Sequence, residues 1–432
     1  MYTRYSAKPF RRLPLVLLMA LLSANVYASP DDPELEALTL ADAMQKKPEK
    51  ASDWRAFAEV ASGYARLRDG GHETSQRLSI DAQFDKTLTP AWRLFFSDRV
   101  DLSWPATSNG DRAINTLKEA GISWKPAENT LLDAGRINAR YGNALGYNPT
   151  DFFKSYAVRS AVSVDPASLR ENRQGSVMLR AQQLWDSGSL TLIASPRLAD
   201  LQMQSGWNPN IGATNHNNRY LLAISQKIGN FTPQGLIFKE KGQKPRFGLN
   251  LSHLLNDATV FNLEWSGGYA PKQTDAAFAA YNPAFRAGEQ QWQQQIATGI
   301  SYTTSNKLTL TAEAHYNSAA PDNQAWQQLQ TGPLPQYLLY RGYSQQTQNL
   351  TTRRQLFLHA TWQDAIIPHL DLSTMITHIP EDRSRRYWLE ARYHKDFWEV
   401  GFQVERNTTF ANTVYGFAGR DTKCLLSIRI FR

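Results

Sequence analysis

Beyond residue 54, apolar side chains recur at every second position, and the residues between them are charged, amide or hydroxyl. Successive side chains on a β-strand point to opposite faces, so this pattern builds strands with one apolar and one polar surface. The clearest case sets Trp92, Leu94, Phe96, Val100, Leu102 and Trp104 against Arg93, Ser97, Arg99, Asp101 and Ser103. Phe261, Leu263, Trp265 and Tyr269 oppose Asn262, Glu264 and Ser266 in the same way. So do Leu308, Leu310, Ala312, Ala314 and Tyr316 against Thr309, Thr311, Glu313, His315 and Asn317, and Trp398, Val400, Phe402 and Val404 against Glu399, Gln403 and Glu405. A soluble sandwich gives single strands of this kind. A long series, with carboxylates and guanidinium groups on one face and aromatics closing the other, is the wall of a barrel with lipid outside and water inside. An aromatic content of 11% alongside a negative mean hydropathy fits the same reading.

Sheet edges in hydrocarbon leave N–H and C=O groups without partners, so the strands have to close. Connection lengths supply an independent test, because such barrels alternate short turns with longer loops. Short connections are expected at Asp85 to Pro90, Lys125 to Asn129, Asp186 to Gly188, Gly229-Asn230, Leu254 to Asp257, Thr304 to Lys307, Gln363 to Pro368 and Lys395-Asp396. Longer ones fall between them and at both ends of the series, including Gly142 to Gly175, Pro196 to Asn217, Pro271 to Glu289 and Ser318 to Thr352. The expectation is an all-β transmembrane antiparallel β-barrel of about 18 strands over residues 54–432, with 16 as the alternative. The last strand alternates Cys424, Leu426, Ile428 and Ile430 with Leu425, Ser427, Arg429 and Phe431.

Ahead of the barrel, Arg4, Lys8, Arg11 and Arg12 precede the apolar run Leu13 to Leu22 and the small-residue site Val26-Tyr27-Ala28, the layout of a signal peptide over residues 1–28. Residues 29–53 read as a short periplasmic lead-in with one helix over Glu34 to Gln45. The expected location is the outer membrane of a Gram-negative cell, in contact with its lipid. The signal segment carries four basic residues and no acid, which takes the net charge of +8 to about +4, too mild a balance for nucleic acid. One cysteine, Cys424, and no close pair of histidines leave no disulfide framework and no expected metal site, and no cofactor motif stands out.

Gly135-Arg136, Arg140-Tyr141-Gly142 and Asn148-Pro149-Thr150-Asp151-Phe152-Phe153, together with Glu313 and Tyr316-Asn317 at the end of the strand from Leu308, resemble a large group of proteobacterial outer-membrane porin-like proteins of unknown function, related in appearance to alginate-export porins. That resemblance implies a porin-like barrel and, as one alternative, export of a polysaccharide or lipid-like product with a periplasmic or inner-membrane partner.

Alternation assigns Arg93, Arg99, Asp101, Arg180, Glu264, Glu313, His315, Glu390, Arg392 and Glu405 to the inner wall of a pore for hydrophilic or anionic solutes. Early arginines and later carboxylates would set a field across that pore. The segment Gly142 to Gly175 is the constriction loop by analogy with the inward third loop of general porins, and Asp151, Lys154, Arg159, Arg170 and Arg173 are its charged members. Its structural alternative is a solvated loop over the barrel mouth. An outer-membrane hydrolase is the rival of another class, but His216 in the run Asn215 to Asn218 has no nucleophile motif beside it. An energised receptor is disfavoured because only about 25 residues precede Trp54 once the signal segment is removed.

Overall fold

The computed structural model describes residues 53–106, 110–200, 205–282, 285, 288–408, 411–417 and 419–432. The signal segment and the lead-in helix lie outside them. Among the described residues eighteen strands form one antiparallel sheet. The first nine are β1 (Trp54–Leu67), β2 (His72–Thr89), β3 (Trp92–Trp104), β4 (Ala113–Ala127), β5 (Thr130–Ile137), β6 (Ser176–Trp185), β7 (Gly188–Ser195), β8 (Arg219–Gln226) and β9 (Gln234–Glu240). The rest are β10 (Arg246–Asn256), β11 (Thr259–Ala270), β12 (Gln291–Thr303), β13 (Leu308–Asn317), β14 (Arg354–Trp362), β15 (Leu370–His378), β16 (Arg385–His394), β17 (Trp398–Thr408) and β18 (Arg420–Phe431). Each strand pairs with its neighbours in sequence, and β1 pairs with β18 from Phe57 opposite Phe431 upward, so the sheet has no free edge. The count is 18, not 16.

Each short turn expected from the sequence joins the strand pair it was assigned to. The largest adjustments are at β2, which runs on through Thr89 to leave a turn of two residues, and between β8 and β9, where the connection covers 227–233. The alternating faces also hold. On β11 and β13 the inward Glu264, Ser266, Glu313, His315 and Asn317 are buried, while outward Leu310 is 45% exposed, the accessibility of a residue meeting lipid.

Two departures from strict alternation have identifiable causes. Between Ser97 and Asp98 the β3–β4 register shifts by one, so Lys118 is an extra residue on β4 and both Lys118 and Glu119 face inward. Lys118 donates to Asp81 (2.7 Å) and Glu119 accepts from the Asn138 amide (3.0 Å), which gives the bulge two internal partners. Strands β5 and β7 to β9 are short, with seven or eight residues each, and apolar on both faces. Their inner face, together with Met178 of β6, carries Ile137, Ile193, Leu221, Leu236 and Phe238 beneath Phe152 and Phe153 of the connection between β5 and β6.

Among the described residues the long connections hold five helices: α1 (Pro166–Glu171), α2 (Ile211–Thr214), α3 (Gln273–Tyr281), α4 (Asn323–Thr331) and α5 (Leu334–Gln346). Reading 318–352 as plain loop missed α4 and α5, whose glutamine-rich sequence hides their buried face. Trp326, Tyr337 and Tyr340 supply that face and pack with Ala277, Ile379 and Val414. Their polar atoms are used, since Trp326 Nε1 donates to Asp382 (3.0 Å) and Tyr340 Oη to the Thr351 carbonyl (2.6 Å). The result is a small folded cap at the end of the barrel opposite the two termini.

Candidate functional site

The connection between β5 and β6, residues 138–175, crosses the interior of the barrel. Its beginning is fixed by apolar burial: Phe152 stacks on Phe238 at 4.7 Å, and Phe153 meets the same ring edge-on at 5.9 Å. Burying each phenyl ring is worth about 1.5–3 kcal/mol. Arg246 and Arg219 lie over the two rings, at 5.4 and 4.8 Å from the centroids.

The far wall holds the segment through two carboxylates. Glu264 on β11 accepts from the Ala144 amide and from Asn148 Nδ2 (3.1 Å), and Thr150 Oγ1 stands 3.2 Å away. Glu313 on β13 accepts from the amides of Leu145 (2.6 Å) and Gly146 (2.8 Å), and His315 Nε2 contacts it at 2.8 Å. A run of consecutive backbone amides is thus bound by two acids on strands β11 and β13. Gly142 has φ +90°, and a Cβ there would run into the Glu264 carboxylate. Gly142→Ala is expected to weaken docking by about 1–3 kcal/mol, seen as faster cleavage of 138–175 in limited proteolysis of the folded barrel.

Within the segment, Arg173 binds Asp151 (2.7 Å), Asn138 Oδ1 (2.6 Å) and the Ala139 carbonyl (2.8 Å), all in the interior. Lys154 is buried, with its Nζ donating to the Asn148 carbonyl (2.7 Å) and lying over the Tyr147 ring at 4.3 Å. Burial holds its amine down to about 7, against the opposing pull of Asp151 and Glu264 and with the repulsion of Arg246 and Arg173. Because the free segment binds this proton more tightly than the docked one, docking strengthens as pH rises from about 7 toward the amine's ordinary value and is weakest below 7. Lys154→Met is expected to flatten that pH dependence in the frequency of single-channel opening steps.

The remaining residues assigned from sequence fall into three groups. Glu264, Glu313 and His315 hold the inward segment. Arg99 sits among Asp101 (3.0 Å), Glu59 (3.3 Å) and Asp81 (3.8 Å), while Arg392 binds Glu390 (Nε, 2.6 Å) and Glu399 (3.0 Å), and Glu405 meets Arg386 at 3.2 Å. Arg93 and Arg180 are paired with Asp85 and Asp133 across neighbouring strands. Arg159 donates to the Asn115 carbonyl (2.8 Å) and ties the segment to the connection after β7, and Arg170 Nη2 reaches the Gly142 carbonyl (3.1 Å). Apart from Glu264 and Glu313, the charges named here lie beside opposite charges pair by pair among the described residues.

A cavity of about 580 Å³ lies between this charged wall and a wall of hydroxyl and amide groups that includes Ser252, Asn262, Ser301, Thr311 and Thr361. Among the groups facing it that sequence reasoning did not single out are Glu59, Arg77, Asp81 and Arg429. For the strand residues a signal existed: Glu59, Arg77 and Asp81 share the inward parity of β1 and β2.

No family pattern and no curated sequence matches the chain. Its fold does match solved structures. Acinetobacter baumannii OccAB1 aligns over 88% of this chain and 96% of its own, with TM-score 0.55 and 10% identity. Pseudomonas aeruginosa OccK2 (OpdF) aligns over 88% and 97%, with TM-score 0.52 and 12% identity. The outer membrane protein OpdK of Pseudomonas aeruginosa aligns over 88% and 99%, with TM-score 0.50 and 8% identity. At these identities the likeness is one of fold.

Proposed function

We propose that this chain is an outer-membrane channel that passes small hydrophilic solutes, anionic ones included, along a lumen narrowed by residues 138–175. The observation that carries this reading is the cavity itself, enclosed by a closed barrel and lined by six arginines, seven carboxylates and a stretch of hydroxyl groups. A polar, charged lumen lowers the barrier for hydrated solutes and raises it for apolar ones. Its near balance of charge favours weak selectivity between ions of opposite sign. The fold likeness to OpdK, whose description names it an outer membrane protein, supports the location. His216, the residue closest to an enzymatic reading, is edge-on to Tyr156 at 5.5 Å and 3.8 Å from Glu240, a packed position rather than a free base.

Liposome swelling tests the proposal. Vesicles holding the refolded mature chain should swell in arabinose and in gluconate, and more slowly in raffinose. No swelling in any of the three, from a barrel whose folding is verified by its gel mobility before and after heating, would overturn it.

A further inference from the structure

The outer face of the barrel is not uniform. Over β5 to β9 it forms a concavity of about 790 Å³ whose lining is almost wholly apolar, with Leu179, Leu192, Tyr220, Leu222 and Ile237 around it and Lys239 at its border. Leu179 is 63% and Tyr220 53% exposed, so nothing else among the described residues covers them. The hollow arises because outward alanines Ala134, Ala181 and Ala194 stand where neighbouring positions carry large side chains.

Four of these strands, β5 and β7 to β9, are also the shortest among the described residues. An eight-residue strand tilted by about 40° rises roughly 20 Å, less than the apolar band of about 25 Å that a spanning barrel presents. The polar border of this sector is therefore drawn toward the hydrocarbon. That border, at the end of the barrel opposite the termini, is basic: Lys239 ends the outward row of β9, and Lys241 and Lys244 follow on the connection to β10. Lys244 lies over the outward Tyr269 ring at 4.4 Å. The acid between the first two, Glu240, turns inward and accepts from Asn217 Nδ2, so it does not neutralise the row.

We propose that this sector is a binding site for a phosphorylated lipid of the outer leaflet, with acyl chains in the concavity and phosphate against Lys239, Lys241 and Lys244. Apolar area and charge complementarity coincide at one place on the wall: long lysine stems lie along the apolar surface while their ammonium groups meet the head group. The inference rests on the outer-membrane reading above.

The test uses the refolded mature chain in dodecyl maltoside, titrated with diphosphorylated hexa-acyl lipid A and, separately, with phosphatidylcholine, and read by native mass spectrometry. Wild type should retain one lipid A at concentrations where phosphatidylcholine is lost. The triple substitution K239E/K241E/K244E should weaken retention at least tenfold with single-channel conductance unchanged. If the triple variant does not refold, Lys239→Gln serves in its place, with an expected loss of about threefold. Equal retention of both lipids, indifference to the substitutions, or a second copy of the chain displacing lipid from this face would each overturn the proposal. A barrel that conducts but binds no lipid A sinks this inference alone, whereas one that binds lipid A without conducting sinks the channel reading.

Discussion

The double substitution Glu264→Ala and Glu313→Ala is expected to raise single-channel conductance several-fold. The two carboxylates lie on β11 and β13 and receive the amides of Ala144, Leu145 and Gly146 from a segment that starts on the opposite side of the barrel. Hydrogen bonds to a charged acceptor are worth about 1.5–3 kcal/mol each, and losing both acids also strands buried amides. Phe152 and Phe153 anchor the segment on the β9 side, so once the two acids are gone residues 142–150 are left with only neutral hydrogen bonds to the wall, such as Asn143 to Ser252 and Thr150 to Asn250, to keep them in the lumen. A double mutant with wild-type conductance and folded mobility would show that the segment does not set the width of the path. Single substitutions should give smaller increases, and Glu313→Gln a smaller one than Glu313→Ala, because the amide oxygen still accepts from one of the Leu145 and Gly146 amides, which bind separate oxygens of Glu313.

Arg99→Ala should be the most destabilising single change in the wall. Arg99 is 1% exposed, and its guanidinium serves Glu59, Asp81 and Asp101, themselves 1%, 2% and 1% exposed. Removing one member of a buried ionic network leaves the others charged and uncompensated, at a cost of about 3–5 kcal/mol. Lys118, Arg77 and Arg429 still reach the acids, which places the expected loss toward the lower end of that range. Urea unfolding in micelles measures it, and a loss below about 1 kcal/mol would contradict the network. The same variant should shift reversal potential toward cation selectivity, since three acids then line the lumen with one cation fewer.

What the sequence disclosed and what it withheld divide along a physical line. Strand faces and turn positions follow from local rules: side chains alternate along a strand, and turns need particular residues, so β3, β11, β13 and β17 could be oriented from their own residues. Even the short strands β7 to β9, apolar on both faces, were located by their flanking turns when alternation weakened. The role of an inward charge is set instead by contacts between residues far apart in the chain. Glu264 and Glu390 look alike in sequence, yet one receives a backbone amide from residue 144 and the other pairs with Arg392 two positions away. For the same reason Asp151, Lys154 and Arg173, dense charges that read as lining, are buried inside the segment that carries them. The helices α4 and α5 escaped notice because they lie in a stretch read as one long loop, and their buried faces rest on three aromatic residues set among glutamines.

Single-channel recording of the refolded mature chain in a planar bilayer, with reversal potential under a salt gradient, tests the central claim most directly. A water-filled barrel narrowed by residues 138–175 and lined by nearly balanced charge predicts stable, uniform steps and a reversal potential close to zero. Silence from a barrel shown to be folded would contradict it.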